Sequence, residues 1–139
     1  MKNPDVSQIT AEIFTICKQK QIVITTAESC TAGGVAFALS NIAGASECFY
    51  GGVVAYSNIL KSHLLKVSES TIKNYGADSK QTAIEMADGA YLTLKHLLLG
   101  ENKPSIEPDK ISKNIASLAI TGIAGPSGGS AIKPVGLVH

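Results

Sequence analysis

A hydroxyl flanked by a carboxylate and a thiol occupies the stretch best suited to chemistry: Thr25-Thr26-Ala27-Glu28-Ser29-Cys30-Thr31-Ala32-Gly33-Gly34. The β-branched apolar run at 22–26 predicts a strand leading in, and the Ala- and Leu-rich run at 35–40 predicts a helix leading out. A side chain in such a turn faces the unpaired N–H groups of a helix N-terminus, a suitable place for an anion or a developing oxyanion. Ser29 is therefore a candidate nucleophile, although it lacks the flanking glycines of a nucleophile elbow. Composition alone leaves it equally open as a helix cap. Cys30 could be a nucleophile at the same helix start. Neighbours in a turn point apart, however, so Cys30 reads as the member of the pair that faces the core. Glu28, an acid beside a helix start, is favourable there whatever its role.

Ser29 needs a base. His63, His96 and His139 fall on a predicted helix surface, a long helix and the end of the chain, so a Ser-His-Asp triad is not indicated. Lys61 is the better candidate. It follows Tyr56, at the end of the second predicted strand, in the first turn of a helix. A lysine acts as a base when burial or a nearby cation lowers its pKa. Taken singly, Lys61 reads as a solvated surface lysine and Tyr56 as a strand residue with a satisfied hydroxyl. The richest glycine loop, Gly122-Ile123-Ala124-Gly125-Pro126-Ser127-Gly128-Gly129-Ser130, lacks the P-loop and dinucleotide patterns, but its N–H groups could cradle a phosphate or carboxylate. No His, Cys, Asp or Glu cluster has metal-ligand spacing, so no metal is expected.

These residues must be positioned by a series of short elements. Asn3-Pro4-Asp5 opens a helix with a cap residue, a proline and an early acid, and Val6, Ile9, Ile13 and Ile16 predict its buried face. The run at 22–26 suits a central strand covered on both sides. A second strand spans 48–56, with Gly51-Gly52 marking a bulge or a close backbone approach. Ser57, Ser68 and Ser79 are caps, and Gly76 is a stop. The long third helix of that group carries a stripe of Ala83, Ala87, Ala90, Tyr91, Leu94, Leu97 and Leu98. Residues 100–114 shift to Glu, Asn, Lys and Pro and predict a surface loop. A third strand spans 115–121, and 135–139 begin a fourth. Glycine-rich turns after the first and third strands would meet at a ligand crevice if those strands are parallel neighbours.

The 139 residues fit one domain. Composition is globular, 45% hydrophobic and 17% charged, and the net charge of +1 gives no electrostatic case for a nucleic-acid or membrane partner. All 12 basic residues are lysine, so a phosphate would be held by lysine or backbone N–H groups rather than a guanidinium fork. Three scattered cysteines, Cys17, Cys30 and Cys48, predict a reducing compartment, and no apolar run approaches the roughly 18 residues that span a bilayer. A cytoplasmic protein is expected.

Several motifs occur together and in order: Thr26-Ala27-Glu28-Ser29-Cys30-Thr31, Ile42-Ala43-Gly44-Ala45-Ser46, Tyr56-Ser57-Asn58 with Lys61, Gly76-Ala77-Asp78-Ser79, and Thr121-Gly122-Ile123-Ala124-Gly125-Pro126-Ser127-Gly128-Gly129. Together they closely resemble the CinA C-terminal domain family, whose stand-alone members are nicotinamide-nucleotide amidohydrolases. The resemblance implies a single three-layer α/β/α domain, with a central sheet expected to be mixed. It implies hydrolysis of the carboxamide of nicotinamide mononucleotide (NMN) to nicotinate mononucleotide and ammonia, with no metal or organic cofactor. By the family pattern Ser29 looks like the nucleophile, Lys61 the general base, and Tyr56 an aid to proton transfer or positioning. Glu28, Cys30, Thr31, Gly33, Thr121, Gly122, Gly125, Gly128 and Gly129 look like the substrate-binding set, with Lys133 a candidate for the phosphate. Relative to the family, the segment around 100–114 reads as an insertion. Family members also continue past His139 through the rest of a strand and a final helix. The uncovered sheet face this implies favours association into homo-oligomers. The alternatives are a nucleotide-binding module without catalysis and an interaction module linked to competence or damage.

Overall fold

The computed structural model describes residues 5–99 and 114–139. Helix α1, Val6–Lys20, starts at Asp5, whose carboxylate accepts from Ser7 N–H at 3.0 Å, so the acid itself is the cap. Strand β1, Ile22–Glu28, is buried along all but its first residue. Helix α2, Gly34–Ser40, and a 3₁₀ turn at Ala45–Glu47 lead to β2, Phe49–Val54. Three helices follow: α3, Asn58–Leu64, capped by Ser57; α4, Glu69–Tyr75, capped by Ser68 and ended by Gly76; and α5, Lys80–Leu99. Ser79 Oγ accepts from Thr82 N–H at the start of α5. Strand β3, Asn114–Ile120, is the third strand among the described residues. The insertion expected at 100–114 lies outside the described residues except for Asn114, the first residue of β3.

The strand order is β2-β1-β3, and both pairings are parallel. This corrects the expectation of a mixed sheet. Helices lie between consecutive strands and return the chain to the same end each time, which is the condition for parallel pairing. The fourth strand is reduced to a single antiparallel bridge, Gly122 with Val138, beyond the end of β3. The bulge expected at Gly51-Gly52 lies next to them: the β1–β2 register steps from Ile24–Phe49 to Thr25–Gly51, leaving Tyr50 as the extra residue. A Cβ on Gly52 would collide with the Thr26 hydroxyl, which explains the glycine.

Helices cover both faces of β1. Val23 packs with Leu94 and Leu98, and Ala27 with Leu65, Met86 and Ala90; Ile24 packs on the opposite face with Phe14, Cys17, Leu39 and Cys48. The buried face of α1 is Thr10, Phe14 and Cys17, not the expected isoleucine stripe: Val6, Ile9 and Ile16 are exposed. At ~100° per residue the two faces differ by about a quarter turn. Thr10 can be buried because its hydroxyl donates to the carbonyls of Val6 and Ser7. The line on α5 is likewise shifted, to Thr82, Met86, Gly89, Ala90, Leu94 and Leu98, with Leu97 exposed. Gly89 lies against the Leu65 carbonyl, where any side chain would collide. No described helix is long and apolar enough to cross a membrane.

All three strands end at the same edge of the sheet. Ser29, Tyr56 and Thr121 therefore emerge side by side, outside the carboxyl ends of β1, β2 and β3, where ligands bind in open α/β sheets.

Candidate functional site

Glu28 is the last residue of β1 and is fully buried. Along the strand it shares a face with Ile24 and Thr26, so its carboxylate lies under the start of α2. There it accepts from the N–H groups of Gly33 (3.1 Å), Val35 (3.0 Å) and Ala36 (2.7 Å). Burial pushes this carboxyl up, but the adjoining Thr31 hydroxyl and the N–H groups of Val35 and Ala36 outweigh it and hold the group below the usual carboxylate range. The Thr31 and Thr26 hydroxyls face the carboxylate without hydrogen-bond geometry, so the backbone donors are the firm part of that balance.

Ser29 is therefore not the cap of α2. That helix begins at Gly34 after a tight turn at 30–33, and its free N–H groups are satisfied by Glu28. We expect Glu28→Gln to lower stability by about 2–3 kcal/mol, because an amide sets an N–H group against backbone donors. Denaturant unfolding near neutral pH measures this, and an unchanged midpoint would show that the turn does not rest on the carboxylate.

Ser29 is buried and its N–H donates to Ile120 O at 2.8 Å, which ties the turn to the end of β3. Among the described residues its hydroxyl meets one partner. Lys61 Nζ donates to Ser29 Oγ at 3.0 Å. Lys61, the fourth residue of α3, is only 2% exposed, against the plain reading of a surface lysine. Burial lowers its amine pKa from the usual 10.5, while the neighbouring Cys30 and Asp78 pull it partly back up. The pair is thus a hydroxyl beside an amine biased toward its neutral, proton-accepting form. The N–H groups of Cys30 and Thr31 make no hydrogen bond among the described residues and stay available beside Ser29.

A cleft of about 280 Å³ opens over this pair. Ser29, Cys30, Tyr56, Lys61, Thr121, Gly122 and Gly128 line it. Cys30 is half-buried at the cleft rather than in the core, while Cys17 and Cys48 are core thiols; all three are free. Tyr56 is 65% exposed, at the mouth, and makes no hydrogen bond to Ser29 or Lys61. Glu28, Thr31, Gly33, Gly125 and Gly129 lie outside the lining, and Glu28 serves the turn instead of the cavity. Lys133, expected at a phosphate, donates to Tyr75 O (2.7 Å) and Asp78 Oδ1 (3.3 Å) and does not line the cleft.

The lining also includes Asn58, Ala77 and Asp78, to which the sequence reading gave no role. Asp78 lies between the Gly76 stop and the Ser79 cap and is needed for neither. A carboxylate without a capping duty, inside the Gly76-Ala77-Asp78-Ser79 motif, is the signal that marked it. Thr121 Oγ1 donates to Ala77 O at 2.7 Å and locks this segment to the end of β3. Among the described residues no three His, Cys, Asp or Glu side chains converge as a metal site would require.

The family model described as CinA C-terminal domain matches residues 6–97. A CinA-like protein from Pseudothermotoga lettingae is 41% identical over 127 residues, 91% of this chain and 27% of the relative. A putative competence-damage inducible protein from Desulforudis audaxviator is 42% identical over 121 residues, 87% of this chain and 25% of the relative. The chain thus spans about a quarter of the length of these relatives. Among solved structures, the competence/damage inducible protein CihA from Agrobacterium tumefaciens superposes with a TM-score of 0.79 at 38% identity, covering 99% of this chain and 73% of that one. A CinA superfamily protein from Escherichia coli gives 0.80 at 29% identity, covering 99% and 70%. Sequence and fold agree over nearly the whole length, and the chain belongs to the CinA C-terminal domain family.

Proposed function

We propose that this chain hydrolyses the carboxamide of NMN to nicotinate mononucleotide and ammonia, with Ser29 as nucleophile and Lys61 as base. The observation that carries the reading is the 3.0 Å contact between the buried Lys61 amine and the Ser29 hydroxyl at the floor of the cleft. Nucleophile and base within hydrogen-bond reach are the geometric requirement for such chemistry.

Neutral Lys61 takes the Ser29 proton as Oγ bonds to the amide carbon. The carbonyl electrons move onto oxygen, where the Cys30 N–H group stabilises the charge. The tetrahedral carbon then expels nitrogen, which takes the proton from the Lys61 ammonium and leaves as ammonia. Water, activated by Lys61, cleaves the resulting ester and returns Ser29. Tyr56, at the mouth, contacts the substrate as it enters. The cleft lies near the lower end of the ~300–1,000 Å³ usual for small-molecule sites, which suits a substrate of mononucleotide size.

The test is ammonia release on incubation with NMN, followed alongside nicotinate mononucleotide by chromatography. The two products should appear in equal amounts. Folded chain that releases no ammonia, where a full-length relative does so, would overturn the reading.

A further inference from the structure

Among the described residues lining the cleft, Lys61 supplies the amine and Asp78 the carboxylate. Lys61 must be neutral to accept the Ser29 proton, and in that form Asp78 is the remaining formal charge on the wall. Asp78 is also fixed in place. Lys133 holds its Oδ1 at 3.3 Å and is itself tied to the Tyr75 carbonyl at 2.7 Å. Lys133 makes this pair from outside the lining, so a molecule in the cleft meets the carboxylate before the ammonium. The Asp78 side chain is 23% exposed, enough desolvated for its field to be felt and enough wetted for the effect to be moderate.

We propose that Asp78 makes this cleft selective for an amide carried on a cationic ring, an N-alkylated pyridinium carboxamide, over the same amide on a neutral ring. The inference rests on the amidase reading for which end of the ligand faces Ser29. In NMN the ring nitrogen bears the positive charge and lies meta to the carboxamide. An amide carbon brought to Ser29 Oγ therefore carries that charge into the cleft that Asp78 lines. Opposite charges brought together in a partly dehydrated cleft favour the matched ligand and disfavour the unmatched one.

NMN and its reduced 1,4-dihydropyridine form share the amide, ribose and phosphate and differ in ring charge. Their dissociation constants are to be measured by calorimetry in a Ser29→Ala background, where neither is turned over, with folding checked by circular dichroism. The cationic form should bind about tenfold more tightly, and Asp78→Asn should bring the ratio near one. Lys133→Met, which removes the latch but leaves the carboxylate, should keep or widen the ratio. Equal binding of both forms in the parent, binding of neither, or a ratio unchanged by Asp78→Asn would overturn the proposal. So would collapse of the ratio in Lys133→Met, since the role would then be loop anchoring. Ammonia release by the chain with Ser29 intact separates the two failures: with turnover present, only the selectivity falls.

Discussion

Replacing Ser29 by alanine is expected to lower ammonia release from NMN by roughly three to six orders of magnitude while leaving the chain folded. The two readings of this residue, cap and nucleophile, predict opposite patterns. A cap stabilises a helix by ~1 kcal/mol and leaves a soluble protein with intact chemistry when its neighbours compensate. A nucleophile removes the reaction and little else. The structure takes the cap role away from Ser29, since Glu28 accepts from Gly33, Val35 and Ala36 at the start of α2. The hydroxyl's partner is the Lys61 amine, so its loss removes one hydrogen bond worth about 1 kcal/mol. Turnover and thermal unfolding measured on the same preparation decide the matter. An alanine variant that retains turnover, or one whose loss merely tracks unfolding, would sink the nucleophile.

Much of this was legible because local chemistry sets it. Ser57, Ser68 and Ser79 cap helices where a serine precedes a helical run, and Gly76 ends one. The run at 22–26 is the central strand because an unbroken apolar stretch needs cover on both faces. What stayed hidden depends on contacts distant in sequence. The buried face of α1 is chosen by its neighbours in space, which accept Thr10 with its hydroxyl satisfied and leave three larger residues in solvent. Cys30 lines the cleft beside Ser29 instead of facing the core because the chain leaves β1 in a turn at 30–33 and reaches the helix only at Gly34. The parallel sheet follows from where α2 to α5 carry the chain, and no residue type in the strands announces it. Asp78 and Lys133 meet across 55 residues, a pairing that no local pattern contains.

Lys61 is the case in which a single residue's environment, invisible in the sequence, determines its chemistry. We expect Lys61→Met to lower turnover by about two to four orders of magnitude while unfolding at the same or a higher denaturant concentration near neutral pH. Methionine fills a similar volume at a site only 2% exposed without burying an amine. Lys61→Arg should be equally inactive, because a guanidinium cannot give up its proton to become a base. The pH dependence has a definite sign. Burial lowers the folded-state pKa of Lys61 below 10.5, the value it regains on unfolding. Below the folded value both states carry the proton and the native state bears the whole cost of a buried ammonium. Between the two values only the unfolded state binds it, so stability rises with pH across that window and levels off above 10.5. The stability gap between Lys61→Met and the parent should therefore be widest at low pH and narrow as pH rises. In the parent, kcat/KM should climb along an acid limb set by the same folded-state pKa, below the ordinary lysine value. That limb should be missing from whatever residual activity Lys61→Met retains. An acid limb that persists unchanged in the methionine variant would assign the proton transfer to another group and leave Lys61 a positioning residue.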